Sequence, residues 1–400
     1  MEFIPRTLGT RPRLACEVRA EGVVAARAED AFAVLSAVAR VPLADEIVVP
    51  RLTAIEADGT VDSSAAPAVS SGVGGDAKGR AVVVAAVRKA LEAVCLRSRE
   101  VTLVVPDASV RVLLLDFDEL STKPAEALSV VRFRLKKLLP FDADDAAVSY
   151  QVMATAKDSL QVLAVAMPRE LLADYESVVR EAGFEPGAIL PSTLAALAGL
   201  PEGDAPMLVV NAGRDGVTTA IVKAGILLLH RTVDLGADRR ADLRAAATQL
   251  ASSAIQAPLV DLEHTAEEWA RQEPVGFDEQ NNAAIAVETA LIHQEIEEEI
   301  MQEIAEESSF TESAGEVAQA VSVAAAYFED TLESPPSGIH AAGTLGAKAL
   351  IALLDEAHVG PFAVREMLHS QMLGAGASSA GSPGGVPLGW LAGVRGALTN

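Results

Sequence analysis

The most constraining feature of the sequence is a strand, turn and strand pattern that occurs twice. The first copy comprises Leu14–Val18 and Val23–Arg27. The second copy comprises Met207–Asn211, Thr218–Lys223 and Ile226–Arg231. Short apolar runs joined by glycine-containing turns are typical of β-hairpins. The repetition predicts two domains that each begin with a hairpin, and it indicates an internal duplication of structure.

Chain length and charge narrow the class of protein. The 400 residues are 50% apolar, which is enough chain for two or three hydrophobic cores. The formal net charge of −24 repels phosphate backbones and anionic lipid headgroups. We therefore expect no nucleic-acid partner and no direct membrane insertion.

The compartment is predicted from the cysteines and from the apolar runs. Cys16 and Cys95 are too few for a disulfide framework, a CxxC redox pair or a cysteine zinc site, which favours a reducing cytosol. The first 18 residues lack the apolar core of a secretory signal. No run reaches the roughly 18 apolar residues that cross a bilayer. We expect a cytoplasmic protein whose membrane association comes through a partner.

Between the two hairpins the patterns alternate between strand and helix. A third strand is predicted at Glu46–Leu52, a flexible loop at Asp62–Arg80 and a helix at Ala81–Leu96. Further strands are predicted at Val101–Pro106, Val110–Phe117, Ala147–Ala154 and Leu160–Ala166, and helices at Lys123–Leu139 and Pro168–Ala182. The helix at Lys123–Leu139 is amphipathic with a basic face, in contrast to the acidic chain as a whole.

The second half is richer in helix patterns. Helices are predicted at Ala237–Ile255, Glu279–Ser308, Ala314–Glu329 and Leu345–Glu356, with a short strand at Gly338–Ala342, a loop at Gly374–Gly385 and an apolar end at Val386–Leu398. The glutamates of 295–307 are most simply a solvated helix face.

Several reaction classes have no motif in this chain. The six histidines show no HxxxH or HxH spacing, so no metal site is predicted. The sequence also lacks a GxSxG elbow, a GxxxxGK[ST] loop and a strand-linked GxGxxG. Hydrolase, Walker-type ATPase and Rossmann oxidoreductase interpretations are therefore without support, and no catalytic residue is predicted.

Four stretches, in order, resemble the type IV pilus assembly protein PilM family, a family of actin-like proteins related to FtsA. The motifs are the corner Leu139-Pro140-Phe141, the strand end Tyr150-Gln151-Val152, the pair His230-Arg231 with Gly236, and the turn Ala342-Gly343-Thr344. The C-terminal VPLGWLAGVRGAL is similar to the family's apolar end. The resemblance covers nearly the whole chain.

This resemblance implies an α/β, actin-like (ribonuclease H-like) two-lobed fold with an inserted small α/β subdomain. The first lobe would span residues 1–205, with the inserted subdomain at about 101–182. The second lobe would span 206–372, and residues 373–400 would return to the first lobe.

The resemblance also implies a nucleotide site, built from two hairpins and a third turn, that could hold ATP with Mg²⁺. Its positions here would be Glu17, Arg19, Asn211, Gly213, Gly343 and Thr344. Three departures weaken this site: Arg19 replaces a glycine, Asn211 replaces a metal-side aspartate, and one glycine of the third turn is missing. We therefore expect ATP binding and hydrolysis to be weak or absent.

By resemblance, the function is that of a cytoplasmic scaffold at the inner membrane, in a type IV pilus or type II secretion-like machine. It would bind the cytoplasmic N-terminal peptide of a PilN-like membrane protein, together with other inner-membrane components. The candidate partner-binding residues are Arg132, Lys136, Phe141, Tyr150 and Val152. The alternatives are an active actin-like ATPase, a sugar-kinase-type phosphotransferase and a filament-forming protein.

Overall fold

The computed structural model describes residues 12–29, 34–44, 47, 49–50, 52, 72–157, 159–200, 203–235, 314–374 and 386–399. The chain forms two compact units, Met1–Leu235 with Val317–Asn400, and Gly236–Glu316. Apart from 314–316, the described residues belong to the first unit. The predicted helices Ala237–Ile255 and Glu279–Ser308 lie outside the described residues, as do most of the two predicted loops.

The first sheet has five strands in the order β3-β2-β1-β4-β8. Its strands are β1 (Leu14–Arg19), β2 (Gly22–Ala28), β3 (Leu35–Pro42), β4 (Glu100–Val105) and β8 (Glu185–Pro191). The first three strands form an antiparallel meander, and β4 and β8 continue the sheet in parallel. The predicted third strand at Glu46–Leu52 is wrong, because its described residues form no strand and the alternating segment Leu35–Pro42 takes that place.

The second sheet repeats this arrangement. Its order is β11-β10-β9-β12-β13, with strands β9 (Met207–Ala212), β10 (Gly216–Lys223), β11 (Ile226–Asp234), β12 (Ile339–Ala342) and β13 (Val364–Glu366). Again three strands form an antiparallel meander, and two more continue in parallel. The shared strand order confirms the internal duplication that the two hairpins indicated.

Helices cover the first sheet on both faces. Helix α1 (Ala77–Val94) packs on β1, β2 and β3, and its buried residues Val83, Val87 and Leu91 recur at helical spacing. It begins four residues earlier than predicted, because the Asp76 carboxylate accepts a hydrogen bond from the Gly79 amide at 2.7 Å.

The other helices frame the rest of the first unit. They are α2 (Pro124–Leu135), α3 (Arg169–Glu181), α4 (Ser192–Ala198), α5 (residues 314–332), α6 (Gly346–Glu356) and α7 (Leu391–Leu398). Helix α7 packs against α4 and against β1, β2 and β4. The sequence patterns missed α4 and β8, which lie in one short run from Glu185 to Ala198.

A separate three-stranded sheet lies between β4 and β8 in the chain. Its strands are β5 (Arg111–Phe117), β6 (Ala146–Ala156) and β7 (Ser159–Pro168), in the order β5-β7-β6. Val131 and Leu135, on the apolar side of α2, share a core with this sheet. Within the segment 101–182, where the inserted subdomain was expected, β4 belongs to the first sheet, and α3 packs on α1 and β8 as well as on β6 and β7.

Candidate functional site

Three turns, one from each predicted nucleotide motif, meet beside the ends of β1, β9 and β12. The closeness is visible at Gly213, where a Cβ atom would lie 2.7 Å from Glu21 Oε1, 3.0 Å from Thr344 Oγ1 and 3.3 Å from Arg19 Nη1. Asn211 and Gly343 also touch, since a Cβ on Gly343 would lie 2.6 Å from Asn211 Oδ1. The fold thus brings together the residues that the sequence placed in a nucleotide site.

The centre of this cleft contains the Arg19 guanidinium, whose side chain is only 11% exposed. Its Nε donates to Glu17 Oε1 at 2.7 Å. Its Nη2 donates to Ser192 Oγ at 2.6 Å and to Asn211 Oδ1 at 2.8 Å. Arg19 therefore joins three elements of the fold: its own strand β1, the first residue of α4, and β9 of the second sheet.

Asn211 extends the network back to the first sheet. Its Nδ2 donates to Ser192 Oγ and to Thr193 Oγ1, both at 2.9 Å, and more weakly to Asp107 Oδ2 at 3.4 Å. Asp107 also accepts from the Thr193 hydroxyl at 2.6 Å. An aspartate at position 211 could accept from Arg19 but could not make these donations. The asparagine is therefore the residue type that satisfies both sides of the cleft.

A second connection between the sheets is made by Glu21, in the turn of the first hairpin. Its Oε1 accepts from the Arg214 amide at 2.6 Å and from the Thr344 hydroxyl. Arg214 Nη2 in turn donates to the Ala20 carbonyl at 2.8 Å. These bonds join the β1–β2 turn to the turns that follow β9 and β12.

Burial and the charge of Arg19 shift the pKa values of the carboxyl groups in the cleft. Burial raises the pKa of Glu17 above its ordinary value, and the Arg19 charge and the Ser192 hydrogen bond oppose this effect. For Glu21, burial would also raise the pKa, but Arg19 and the Thr344 hydrogen bond hold it below its ordinary value.

Asp107 is the third carboxyl group of the cleft. Burial would raise its pKa, but His230 and the hydrogen bonds from Thr193 hold the pKa below its ordinary value. His230 Nε2 lies 3.8 Å from Asp107 Oδ1, and the histidine side chain is 4% exposed. Two carboxylates held at low pKa, with Glu17 beside them, make the cleft suited to a cation.

The third turn is closed tightly over this cluster. Gly343 has φ +87°, and its amide donates to the Gly389 carbonyl at 2.8 Å. The Leu345 amide donates to the Ala212 carbonyl at 3.1 Å. The backbone donors of Gly343 and Leu345 are thus used within the protein, although such turns hold phosphates through free backbone amides.

Sequence reasoning missed four residues of this network: Glu21, Asp107, Ser192 and Thr193. Glu21 lies in the turn between the two predicted strands of the first hairpin, Leu14–Val18 and Val23–Arg27. Asp107 directly follows a predicted buried strand, which is a signal that could have identified it. Ser192 and Thr193 start a short helix after a strand that the patterns did not reveal.

The predicted partner-binding residues lie on and around the three-stranded sheet. Arg132 donates to the carbonyls of Ala143 and Ala146, the latter at 3.0 Å, and thereby anchors α2 to the loop before β6. Lys136 forms an exposed ion pair with Asp144 at 2.5 Å. Phe141 and Tyr150 pack against the core of the three-stranded sheet, and Val152 is 41% exposed.

A groove of about 300 Å³ lies beside β6, the strand that carries Tyr150 and Val152. It is lined by Val105, Val110, Ala147, Val148, Ser149, Val165, Met167, Leu172, Glu176, Pro186, Gly187, Ala188, Ile189 and Pro191. Two of the contributing strands, β6 and β8, are the edge strands of their sheets. The five predicted partner-binding residues do not line this groove, although Tyr150 and Val152 continue the same strand β6.

The described residues meet the requirements of neither a membrane-spanning helix nor a metal site. In this part of the chain no helix is long and apolar enough to cross a membrane. No group of three or more histidine, cysteine, aspartate or glutamate side chains within the described ranges is placed to hold a metal ion.

No protein-family model matches the sequence, and no curated protein matches it. Among solved structures, one chain of a PilM–PilN type IV pilus biogenesis complex is similar over 97% of this chain and 98% of that chain, with a TM-score of 0.55 and 16% identity. The cytoplasmic domain of EpsL, an inner-membrane component of the type II secretion system of Vibrio cholerae, covers 56% of this chain and 71% of that chain, with a TM-score of 0.33 and 13% identity. ParM of Bacillus thuringiensis with ADP covers 96% of both chains, with a TM-score of 0.31 and 10% identity.

The similarity to the pilus complex and the duplicated sheets of the structure indicate the same fold. The chain has the actin-like, two-lobed α/β fold that the sequence predicted. In this fold the first sheet belongs to the first lobe and the second sheet to the second lobe. At 16% identity the likeness concerns the fold, and function has to be argued from the site.

Proposed function

We propose that this protein is a scaffold of a type IV pilus or type II secretion-like machine. Its partner is the cytoplasmic N-terminal peptide of a PilN-like membrane protein. The observation that carries the proposal is the groove lined by β6 and β8, in a chain whose fold matches one chain of a PilM–PilN complex at nearly full length. The protein would act at the cytoplasmic face of the inner membrane, where its partner holds it.

The chemistry of the groove supports an extended apolar peptide. Edge strands offer unpaired backbone N–H and C=O groups, and a peptide that pairs with them gains main-chain hydrogen bonds. Val148, Val165, Met167 and Ile189 offer an apolar lining for its side chains. Glu176, the one carboxylate among these lining residues, already accepts a hydrogen bond from Arg180 Nη2 at 2.8 Å, so an apolar peptide segment is favoured over a charged one.

We also propose that this function does not depend on nucleotide, because the residues of the cleft do not fit Mg²⁺-ATP. The Arg19 guanidinium occupies the space between the two hairpins. A triphosphate entering there would face Glu17, Glu21 and Asp107, which costs Coulomb energy in a low-dielectric cleft. This argument counts against the ATPase and the sugar-kinase-type phosphotransferase.

The test is a titration with a fluorescein-labelled peptide that comprises the cytoplasmic N-terminus of a PilN-like protein from the same genome. Fluorescence anisotropy measures the Kd for the wild type and for Ala188→Trp, which places a large ring in the groove. We expect saturable binding by the wild type and a Kd at least about tenfold higher for the variant, equivalent to about 1.4 kcal/mol.

Two further variants separate the groove from other surfaces. Leu96→Trp adds the same ring at a position that is 72% exposed and does not line the groove, so its Kd should equal that of the wild type. Val152→Ser tests whether the binding surface continues along β6. An absence of binding by the wild type, or equal Kd values for all variants, would refute the proposed function.

A further inference from the structure

The cleft between the lobes already contains a charged group that belongs to the chain itself. Arg19 starts from the first lobe and hydrogen-bonds to Asn211 of the second lobe. Its remaining contacts, to Glu17 and Ser192, fix the guanidinium on the first-lobe side. A group with partners on both walls of a cleft resists the separation of those walls.

The charge balance explains why a cation is needed at this position. Glu17 is fully buried, and its Oε2 has no hydrogen-bond partner, so Arg19 provides its main compensation. Glu21 and Asp107 add negative charge from two other sides, and both interact with Arg19 electrostatically. Without the guanidinium, the carboxylates of the first lobe that line the cleft would have no cation between them, which is strongly unfavourable.

We infer that Arg19 is an internal ligand that holds the two lobes closed in the absence of nucleotide. The guanidinium binds groups of both lobes, as a ligand bound in the cleft would do. The scaffold would therefore present one fixed conformation to its partners. This inference rests on the contacts of Arg19 and is independent of the peptide groove.

The decisive experiment is chemical rescue. Arg19→Ala removes the guanidinium and leaves a cavity lined by Glu17, Ser192 and Asn211, which a free guanidinium ion can enter. We expect the Tm of the variant to fall by roughly 5–10 °C. Guanidinium chloride at about 20 mM, far below denaturing concentrations, should raise that Tm by about 3 °C or more in a saturable manner, and equal sodium chloride should not.

A matched control is Arg80→Ala. Arg80 also binds two carboxylates and a hydroxyl, in Asp174, Glu181 and Ser177, but all of these partners lie on α3, within the first lobe. Its side chain is 25% exposed, so water fills the space that it leaves. We expect no saturable rescue of Arg80→Ala. Equal responses of the two variants to guanidinium would overturn the inference.

Hydrogen exchange keeps the inference testable even where Arg19→Ala does not fold. In the wild-type protein, the Arg214 amide donates to Glu21 across the cleft and should be protected without any nucleotide. Addition of Mg²⁺-ATP should leave the exchange of peptides covering 211–216 and 342–347 unchanged. Increased protection on addition of nucleotide would show that closure needs that ligand and that Arg19 is not its substitute.

Discussion

The packing of the C-terminal helix depends on one glycine, and this dependence yields a quantitative prediction. Helix α7 crosses α4 so closely that a Cβ atom at Gly396 would overlap the carbonyl oxygen of Ala195. The same atom would lie 2.8 Å from the Ala195 carbonyl carbon and 3.0 Å from the Gly199 nitrogen. These are backbone atoms, which cannot rotate away. Since carbon atoms pack at about 3.5–4.0 Å and the overlap with the carbonyl oxygen is deeper still, Gly396→Ala must move the helices apart by at least about 1 Å.

The expected cost combines three effects. Overpacking of a tight contact costs about 3 kcal/mol at the upper end of its usual range. The shift also strains the hydrogen bond from Arg395 Nη1 to the Gly199 carbonyl, 2.7 Å long, which contributes about 1 kcal/mol. Alanine has a higher helix propensity than glycine, and this stabilises the folded protein by about 1 kcal/mol. We therefore expect the free energy of unfolding to fall by about 3 kcal/mol.

Urea denaturation followed by tryptophan fluorescence measures this change, because Trp390 is buried directly before α7. Gly203→Ala is the matched control, since a Cβ there has no atom within 4 Å. The control should change stability by less than about 0.5 kcal/mol. A loss below about 1 kcal/mol for Gly396→Ala would show that the helix contact is not as close as described.

Three further predictions concern buried polar groups. The pKa of Glu21 is lowered in the folded protein, so its ionised carboxylate stabilises the fold above its ordinary pKa. This stabilisation is lost as the pH falls through the lowered pKa. In urea titrations between about pH 6 and about pH 3, Glu21→Gln should therefore lose less stability than the wild type. Asn211→Asp removes the hydrogen bond to Asp107 and adds a carboxylate, so we expect the free energy of unfolding to fall by about 2 kcal/mol at neutral pH. Calorimetry should detect no Mg²⁺-ATP binding by this variant. A nucleotide-dependent rise in its Tm would contradict this expectation. Tyr175→Phe removes a 3.1 Å hydrogen bond to Ser109 and should cost about 1 kcal/mol in thermal unfolding, whereas an unchanged Tm would mean that the hydroxyl gains nothing from this contact.

Local sequence patterns were sufficient for the elements with strong periodicity. The hairpins at Leu14 and Met207, the buried strand β4 and the helix α3 appear within a few residues of their predicted places. These segments combine short apolar runs with turn residues, and such information is contained in a few neighbouring positions. The patterns failed at β3 and at the run from β8 to α4, where small residues and prolines give no clear period.

The sequence by itself determined that this chain has duplicated hairpins, and its resemblance to actin-like proteins predicted their fold and gave Arg19 and Asn211 as replacements in an expected nucleotide site. It could not determine what those replacements do, because their partners Ser192 and Asp107 lie 173 and 104 positions away from Arg19 and Asn211, respectively. Only the tertiary structure decided that the guanidinium lies in the cleft with its charge compensated. Hydrogen bonding and burial depend on distances between atoms, and those distances are set by the packing of the two lobes.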